Sequence, residues 1–373
     1  MVMDTMPTNS SIISSKTVAP PRKLRVWPLV LCVFIAIAVL LFLNELFTPK
    51  YMSDIYEGAL VAEYYNSERD HELIVIGDCE VYENISPITL WEDYGITSYI
   101  RGSPQQLIWQ SYYLLEDTFL YEKPKAVVYS VLAMKYGTPQ SEAYNRLTLD
   151  GMKFSASKIA AVNASMTTGE SLITYLFPLF RYHDRWKELS YDDVRYLFKK
   201  RGVSYNGFLM RCDVQPMRTL PTPPKLGNYA LSENSWKYLD KMAELCKENG
   251  VELILLKAPV PYPHWYPEWD AQVANYAAEH GLLYINALDE LNNIGIDFST
   301  DTYDGGLHLN LAGAEKLSKY LGNILNGRGL SDLRPCAKTS LVWAEKVRGY
   351  YALRDAQLAE IETYGKAISL TRE

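Results

Sequence analysis

The sequence predicts an α/β protein whose doubly wound sheet of five parallel strands carries a helical insertion and follows one membrane-spanning helix. Three observations predict this architecture. Residues 26–47 form a long apolar run, short apolar runs alternate with helical patterns after residue 70, and the alternation is interrupted between about residues 134 and 231. Continuous apolar runs are typical of strands buried on both faces of a parallel sheet, and their alternation with helices is typical of a doubly wound sheet.

The long apolar run, VWPLVLCVFIAIAVLLFLNELF, contains no charge before Glu45. Because about 20 residues at a rise of about 1.5 Å each cross a hydrocarbon core of about 30 Å, residues 26–47 can span a bilayer once. Basic residues precede the run at positions 16, 22, 23 and 25, and no comparable cluster follows it. The positive-inside rule therefore predicts a cytoplasmic N-terminus and an extracytoplasmic remainder.

A cleaved signal peptide is the alternative interpretation of this run. Signal peptides have a shorter apolar region, of about 7 to 15 residues, followed by small residues at the cleavage site. The segment LNELFTPKY offers no such site, which favours an uncleaved single-pass anchor in the cell membrane. Residues 1–25, rich in Ser, Thr and Pro, are then predicted to be a disordered cytoplasmic tail, and residues 48–70 a stalk.

The main domain is predicted to cover residues 71–329. Its first strand, over 73–76, ends at a glycine turn, and a second strand over 96–100 leads to a helix over 104–115 that Ser103 caps. The later elements, in chain order, are a strand over 126–132, insertion helices over 155–165, 170–186 and 191–199, a helix over 232–249, a strand over 252–258, a helix over 271–280, a strand over 283–287 and a helix over 311–324. Residues 330–373 are predicted to add one amphipathic helix, over 339–368.

The composition narrows the classes of function. The net charge of −7 argues against a nucleic-acid-binding protein, which usually presents a basic face. None of the five cysteines has the CxxC spacing of a zinc site, so neither a metal nor another cofactor is expected. The sequence leaves open the oligomeric state and whether the four cysteines outside the apolar run form disulfides.

Reactive side chains follow three of the predicted strands. Gly77-Asp78-Cys79 follows the first strand, Gly102 follows the second, and the segment DTYDGGLHLN over 301–310 follows the fifth and opens the last helix of the domain. In doubly wound sheets, ligands bind at the carboxyl ends of the strands. The three loops are therefore expected to meet at one edge of the sheet.

These motifs resemble the GDSL or SGNH hydrolases, in which a buried strand ends in GDS, a glycine precedes a helix, and a late Asp and His introduce the last helix. The anchor, the long insertion and the ending HLN…GAEKLSKYL resemble more specifically the DltD-like and alginate-acetylation-like branch. The resemblance covers roughly residues 70–326 and implies an SGNH, flavodoxin-like sheet. It also implies that Cys79 is the nucleophile, His308 its base and Asp304 the group that orients the histidine.

Three departures from that family pattern bear on the chemistry. Cys79 replaces the serine nucleophile. Ser130 stands where an asparagine is expected, so its hydroxyl joins Gly102 as a candidate oxyanion donor. The spacing from Asp304 to His308 is one residue longer than in the family, which leaves Asp301 as an alternative partner of the histidine.

The chemistry that the resemblance implies remains feasible with a cysteine. A neighbouring histidine lowers the pKa of a thiol from about 8.5, and the thiolate is a strong nucleophile. We therefore expect an extracytoplasmic esterase or O-acyltransferase that forms a thioester and acts on acyl esters of a cell-envelope glycan or polymer. The alternative is a catalytically silent relative that binds an acyl carrier or scaffolds a membrane-bound O-acyltransferase. For the enzyme, too, the resemblance implies a membrane-bound O-acyltransferase as partner.

Two further groups of residues are candidates for substrate binding. Arg181, His183 and Arg185 lie in the insertion and would suit an anionic polymer, although surface salt bridges are the simpler interpretation. Trp265 lies in an aromatic loop after the fourth strand, where it would either stack on a sugar or pack against the insertion.

Overall fold

The computed structural model describes residues 26–49, 59–198, 202–330 and 337–370. The chain separates between Leu43 and Asn44 into two compact units. The predicted cytoplasmic tail, the segment 50–58 of the predicted stalk, and Cys336 lie outside the described residues. The first helix, α1 (Val26–Phe47), is 22 residues long with a mean hydropathy of 3.0, so its length and composition allow it to cross a membrane.

Five parallel strands form the sheet, which confirms the predicted α/β architecture. They are β1 (Leu73–Gly77), β2 (Ser98–Gly102), β3 (Ala126–Ser130), β4 (Glu252–Lys257) and β5 (Leu283–Asn286). Their order is β2-β1-β3-β4-β5, the flavodoxin-like order of a doubly wound sheet. The register places Gly77 opposite Gly102, so β1 and β2 end side by side.

Helices cover both faces of the sheet. In chain order they are α2 (Leu60–Glu63), α3 (Cys79–Tyr82), α4 (Pro87–Tyr94), α5 (Ile108–Thr118), α6 (Glu142–Leu149), α7 (Ala156–Ser165), α8 (Leu172–Leu176), α9 (Leu179–Tyr182), α10 (Tyr191–Phe198), α11 (Glu233–Glu248), α12 (Pro267–His280), α13 (Leu291–Ile294), α14 (Leu311–Gly327) and α15 (Ala337–Tyr364). Alternate residues of β1 enter opposite cores: Leu73 and Val75 pack with α4, α14 and α15, whereas Ile74 and Ile76 pack with α5, α7 and α11.

The bounds of several predicted helices differ from the structure; the helix predicted over 271–280, for instance, begins at Pro267. The helix predicted over 104–115 begins at Ile108 instead, because the Ser103 hydroxyl bonds to Gln106 and Thr148 rather than capping a helix at Pro104. The helix predicted over 170–186 is broken into α8, α9 and a 3₁₀ turn. Pro178 lies at the first break, where a proline has no amide hydrogen to continue the helix.

The C-terminal helix α15 packs on the domain through side chains spaced seven residues apart. Trp343, Tyr350 and Gln357 are fully buried. The Trp343 ring stacks on Trp91 of α4 at 5.1 Å between centroids, and the side-chain oxygen of Gln357 accepts a hydrogen bond from the amide of Cys212. A seven-residue spacing returns to nearly the same face of a helix, so one stripe of α15 completes the core beside α4.

Candidate active site

Cys79 lies at the carboxyl edge of the sheet, as the first residue of α3, and its side chain is half-buried. Asp78 caps this short helix, because its carboxylate accepts a hydrogen bond from the amide of Glu80 at 3.1 Å. Gly102 supports the same turn from β2. A Cβ at this position would lie 3.0 Å from the Val81 side chain and 3.1 Å from that of Tyr82, so a glycine is needed for α3 to pack this closely.

His308 is held by Asp304. Its Nδ1 lies 2.7 Å from Oδ2 of Asp304, whose other oxygen accepts hydrogen bonds from the amides of Leu307 and His308 at 3.1 and 2.9 Å. Gly305 and Gly306 have φ angles of +81° and +101°, a region that glycine adopts without steric cost. The two glycines let this loop return the carboxylate to the ring.

Asp301 has other partners. Its carboxylate pairs with Lys316 at 2.6 Å and accepts a hydrogen bond from the amide of Asp297 at 2.8 Å. The geometry therefore selects Asp304, and not Asp301, as the aspartate that orients His308.

A second carboxylate, Glu83, also lies beside the histidine and was not identified from the sequence. Its Oε2 is 3.3 Å from Nδ1 of His308, and it accepts a hydrogen bond from the Tyr303 hydroxyl. The Tyr303 ring lies nearly parallel to the imidazole, with 6.0 Å between centroids. The available sequence signal was spacing: Glu83 follows Cys79 by four residues, which places it on the same side of a helical turn.

The charges around Cys79 and His308 oppose a resting thiolate. Burial and the Asp78 carboxylate raise the pKa of the Cys79 thiol to about 11, although the hydrogen bond and the charge of His308 act to lower it. Burial disfavours a charged imidazole, but Glu83, Asp304 and Cys79 outweigh burial and raise the pKa of His308 well above its usual range. The histidine therefore lowers the thiol pKa as expected, but by less than burial and the Asp78 carboxylate raise it.

His308 and Cys79 lie close together without a regular hydrogen bond at Nε2 of the histidine. The two side chains are near enough for each to act on the pKa of the other. Among the described residues, however, Nε2 of His308 is buried and has no partner at regular hydrogen-bond geometry. Proton transfer between the thiol and this nitrogen would require the two groups to come within hydrogen-bond distance.

Ser130, a predicted oxyanion donor, instead belongs to a buried ionic cluster under α3. Its hydroxyl donates to Glu80 at 3.0 Å, and the same carboxylate pairs with Lys257 at 2.6 Å. Both ionic side chains are almost fully buried. The hydroxyl of Ser130 thus stabilises the residue after Cys79, and the geometry does not support a role for it in binding an oxyanion. The sequence did contain an indication of this ion pair: a lysine at the end of the apolar strand ELILLK is expected to be buried, and buried lysines are almost always paired with a carboxylate.

The predicted substrate-binding residues of the insertion are paired with carboxylates of the protein itself. Arg181 donates to Glu142 at 3.0 Å, the exposed His183 pairs with Asp184, and Arg185 pairs with Asp193 at 2.9 Å. None of these bonds extends to the loops that carry Cys79 or His308. The structure therefore favours the salt-bridge interpretation for the two arginines.

Trp265 packs instead of standing free over the site. Its indole nitrogen donates to Asp270 at 3.2 Å, and its ring meets the edge of Trp269 at 5.6 Å between centroids. The side chain is half-buried against the core that contains α11 and α12. This favours packing over sugar stacking for Trp265.

Comparison with known proteins gives distant structural similarities only. No family model and no curated protein matches the chain. A solved structure described as a "putative lipolytic protein of G-D-S-L family" from Desulfitobacterium hafniense DCB-2 is similar over 69% of this chain and 100% of that chain. The identity is 13% and the TM-score 0.35, values at which the similarity carries no argument about this chain.

Proposed function

We propose that this chain is a thiol-dependent ester hydrolase or acyltransferase, with Cys79 as nucleophile and His308 as base. One observation carries the proposal: His308, held at 2.7 Å by Asp304, faces Cys79 at the carboxyl edge of a parallel sheet. A nucleophile, a base and a carboxylate that orients the base are the three parts of a catalytic triad. Glu83 serves as a second carboxylate for the same ring.

The proposed reaction has two steps. In the first, the Cys79 sulfur attacks the ester carbonyl while Nε2 of His308 takes the thiol proton. The intermediate then expels the alcohol, which receives that proton, and a thioester remains on Cys79. In the second step, water or a sugar hydroxyl gives its proton to His308 and attacks the thioester, which releases the acid or a new ester and restores the thiol. We assign the backbone amides of Cys79 and Gly102 as the hydrogen-bond donors that stabilise the oxyanion of the tetrahedral intermediate.

The raised pKa values set the pH dependence of this reaction. A protonated imidazole cannot accept the thiol proton, so the pair must first lose one proton to the solvent. Because the pKa of the thiol is about 11 and that of His308 is also raised, we expect activity to increase above neutral pH. The apparent pKa belongs to the coupled pair and not to either group alone.

We further propose that α1 anchors the chain in the cell membrane and that residues 50–373 are extracytoplasmic. The length and hydropathy of α1 support this placement. The substrate is then an acyl ester of a cell-envelope glycan or polymer, and a membrane-bound O-acyltransferase is the candidate partner. These assignments of substrate and partner rest on the sequence resemblance. Protease treatment of intact cells that leaves the domain uncut would contradict the proposed topology.

A second candidate function is a silent scaffold that binds an acyl carrier or a membrane-bound acyltransferase without catalysis. The observation in its favour is the pKa of about 11 for Cys79, since a neutral thiol is a poor nucleophile. In this alternative, the half-buried Cys79 only packs at the start of α3.

Acylation of Cys79 separates the two functions. The full chain in detergent is incubated with an activated acetyl ester at pH 7 and at pH 9, and its intact mass is then measured. We expect one acetyl group to add faster at pH 9, to be removed by hydroxylamine, and to be absent in Cys79→Ala. The matched control Cys246→Ala removes a fully buried thiol distant in sequence from the site and should acylate normally.

His308→Gln should slow the reaction at least about tenfold, given a general-base contribution of about 10²–10⁴. Acylation that is absent at pH 9, or that is independent of His308, would support the scaffold.

A further inference from the structure

The insertion carries an unusual concentration of exposed apolar side chains. Phe177, Phe180, Trp186, Tyr191, Val194 and Phe198, spread over α8 to α10, are between 40% and 81% exposed. Single exposed apolar residues are normal on protein surfaces, but groups of large ones mark interaction sites. This stretch of fewer than 30 residues therefore presents an apolar surface of the kind that binds a partner or a membrane. We call residues 172–198 the aromatic segment.

Some polar side chains of the aromatic segment bond to the domain beneath it. The Tyr182 hydroxyl donates to Asp150 at 2.9 Å, and Arg146 of α6 donates to the Thr174 hydroxyl at 2.9 Å. Arg181, as described above, bonds to Glu142 of α6. A helix at a water-exposed surface normally buries its apolar face and exposes its polar one. Here large apolar side chains are exposed beside exposed charged ones such as Lys187 and Asp192, a mixture that suits the boundary between an apolar and an aqueous environment.

The aromatic segment lies next to the end of the apolar helix. The amide of Leu179 donates to the side chain of Asn44 at 3.0 Å, and Arg185 donates to the carbonyl of Phe47 at 2.7 Å. Asn44 and Phe47 belong to the last turn of α1 and to the same compact unit as the aromatic segment. Where α1 crosses a membrane, this turn is the point at which the chain leaves the hydrocarbon, so residues bonded to it lie at the membrane–water interface.

The charge of the segment indicates which lipid property it would recognise. Residues 171–198 contain four basic residues (181, 185, 187 and 195) and four acidic residues (184, 188, 192 and 193), so their formal charge is zero. Attraction to anionic headgroups is therefore not the dominant interaction. Aromatic side chains with arginine and lysine between them are typical of the interfacial belt of membrane proteins.

We propose that residues 172–198 form an interfacial lipid-binding surface, whose aromatic side chains enter the headgroup region of the leaflet from which α1 emerges. The surface holds the domain against the bilayer at a second point besides the anchor. This inference rests on α1 as a membrane span, which is part of the proposed function, and is independent of the chemistry at Cys79. An acyl donor carried by a lipid would then be presented beside the domain that acts on it.

Photo-crosslinking tests this surface in the full chain. A benzophenone amino acid replaces Phe180 or Trp186, and the chain is irradiated both in phosphatidylcholine nanodiscs and in membranes of the expressing cells. The matched control carries the same probe at Leu358, which is also exposed, at 49%, but lies on α15 at the opposite face of the sheet. We expect phospholipid adducts at positions 180 and 186 in several-fold excess over position 358.

Two outcomes would overturn the proposal. The first is a lipid adduct yield at 180 and 186 no greater than at 358. The second is crosslinking in cell membranes to another polypeptide instead of lipid, which would assign the surface to a protein partner. Resistance of the chain to alkaline carbonate extraction checks the anchor separately. A Phe180→Ser, Trp186→Ser variant should retain Cys79 acylation by a soluble ester, so failure of the surface is distinguishable from failure of the catalytic proposal.

Discussion

Asp78 is a buried carboxyl group directly before Cys79, and its replacement by asparagine tests the electrostatics of the site. Burial and the charge of Glu80 raise the pKa of Asp78 from 3.8 to about 6. Because the folded pKa lies above the unfolded one, ionisation destabilises the fold. The loss begins as the pH rises above about 4 and is complete above about 6. A difference of about two pH units corresponds to about 3 kcal/mol.

Asp78→Asn removes this cost and keeps a side-chain oxygen that can cap α3. We expect the unfolding free energy of the variant, relative to that of the wild type, to rise by up to about 3 kcal/mol between pH 3.5 and pH 7. The measurement is urea unfolding of the full chain in detergent at both pH values. Asp355→Asn, which alters an exposed carboxylate on α15, is the control and should show little difference.

The same substitution should activate the thiol. The Asp78 charge is the second cause, after burial, of the raised pKa of Cys79. Without that charge the pKa should fall, and alkylation of Cys79 by iodoacetamide at pH 8 should be several-fold faster because the thiolate is the reactive form. The reasoning is refuted if the variant gains no stability between the two pH values and alkylates no faster than the wild type.

Three further predictions concern the supports of the site. Lys257→Met leaves the buried Glu80 carboxylate without its counter-charge and should lower the free energy of unfolding, measured in urea, by about 3–5 kcal/mol. Lys125→Met is the control: its Lys–Glu pair has the same 2.6 Å length but the lysine is 53% exposed, so the loss should be under about 1 kcal/mol. Equal losses would contradict the role of burial. Trp343→Ala should lower the free energy of unfolding by about 3–5 kcal/mol. Leu341 is 73% exposed on the same helix, so Leu341→Ala should change that free energy by no more than about 0.5 kcal/mol. Similar melts for the two variants would show that α15 does not stabilise the domain. Glu83→Gln removes a charge that raises the pKa of His308, so the pH profile of Cys79 acylation should move to lower pH, and an unmoved profile would exclude Glu83 from the site.

Local patterns were enough to predict much of the fold. The strand at Leu73–Gly77 was predicted to within one residue because a continuous apolar run ending at a glycine has few other structures. The second strand was predicted two residues early, since Ile96 is buried before the strand begins at Ser98. The apolar composition of residues 26–47 likewise defined α1 without any tertiary information. These signals are contained in consecutive residues, so the sequence alone reveals them.

The tertiary structure decided which side chains act together. Glu80 and Lys257 are 177 positions apart, and Tyr303 and Glu83 are 220 apart, so no local spacing could pair them. The arginines of the insertion, predicted to face a substrate, instead bond to carboxylates beside them. A side chain's partner depends on the distance between segments after folding, whereas periodicity encodes only which face of its own element is buried. The sequence therefore determined the strands and the apolar helix and indicated Cys79 and His308 as candidates, while only the packing of distant segments decided the charges around them.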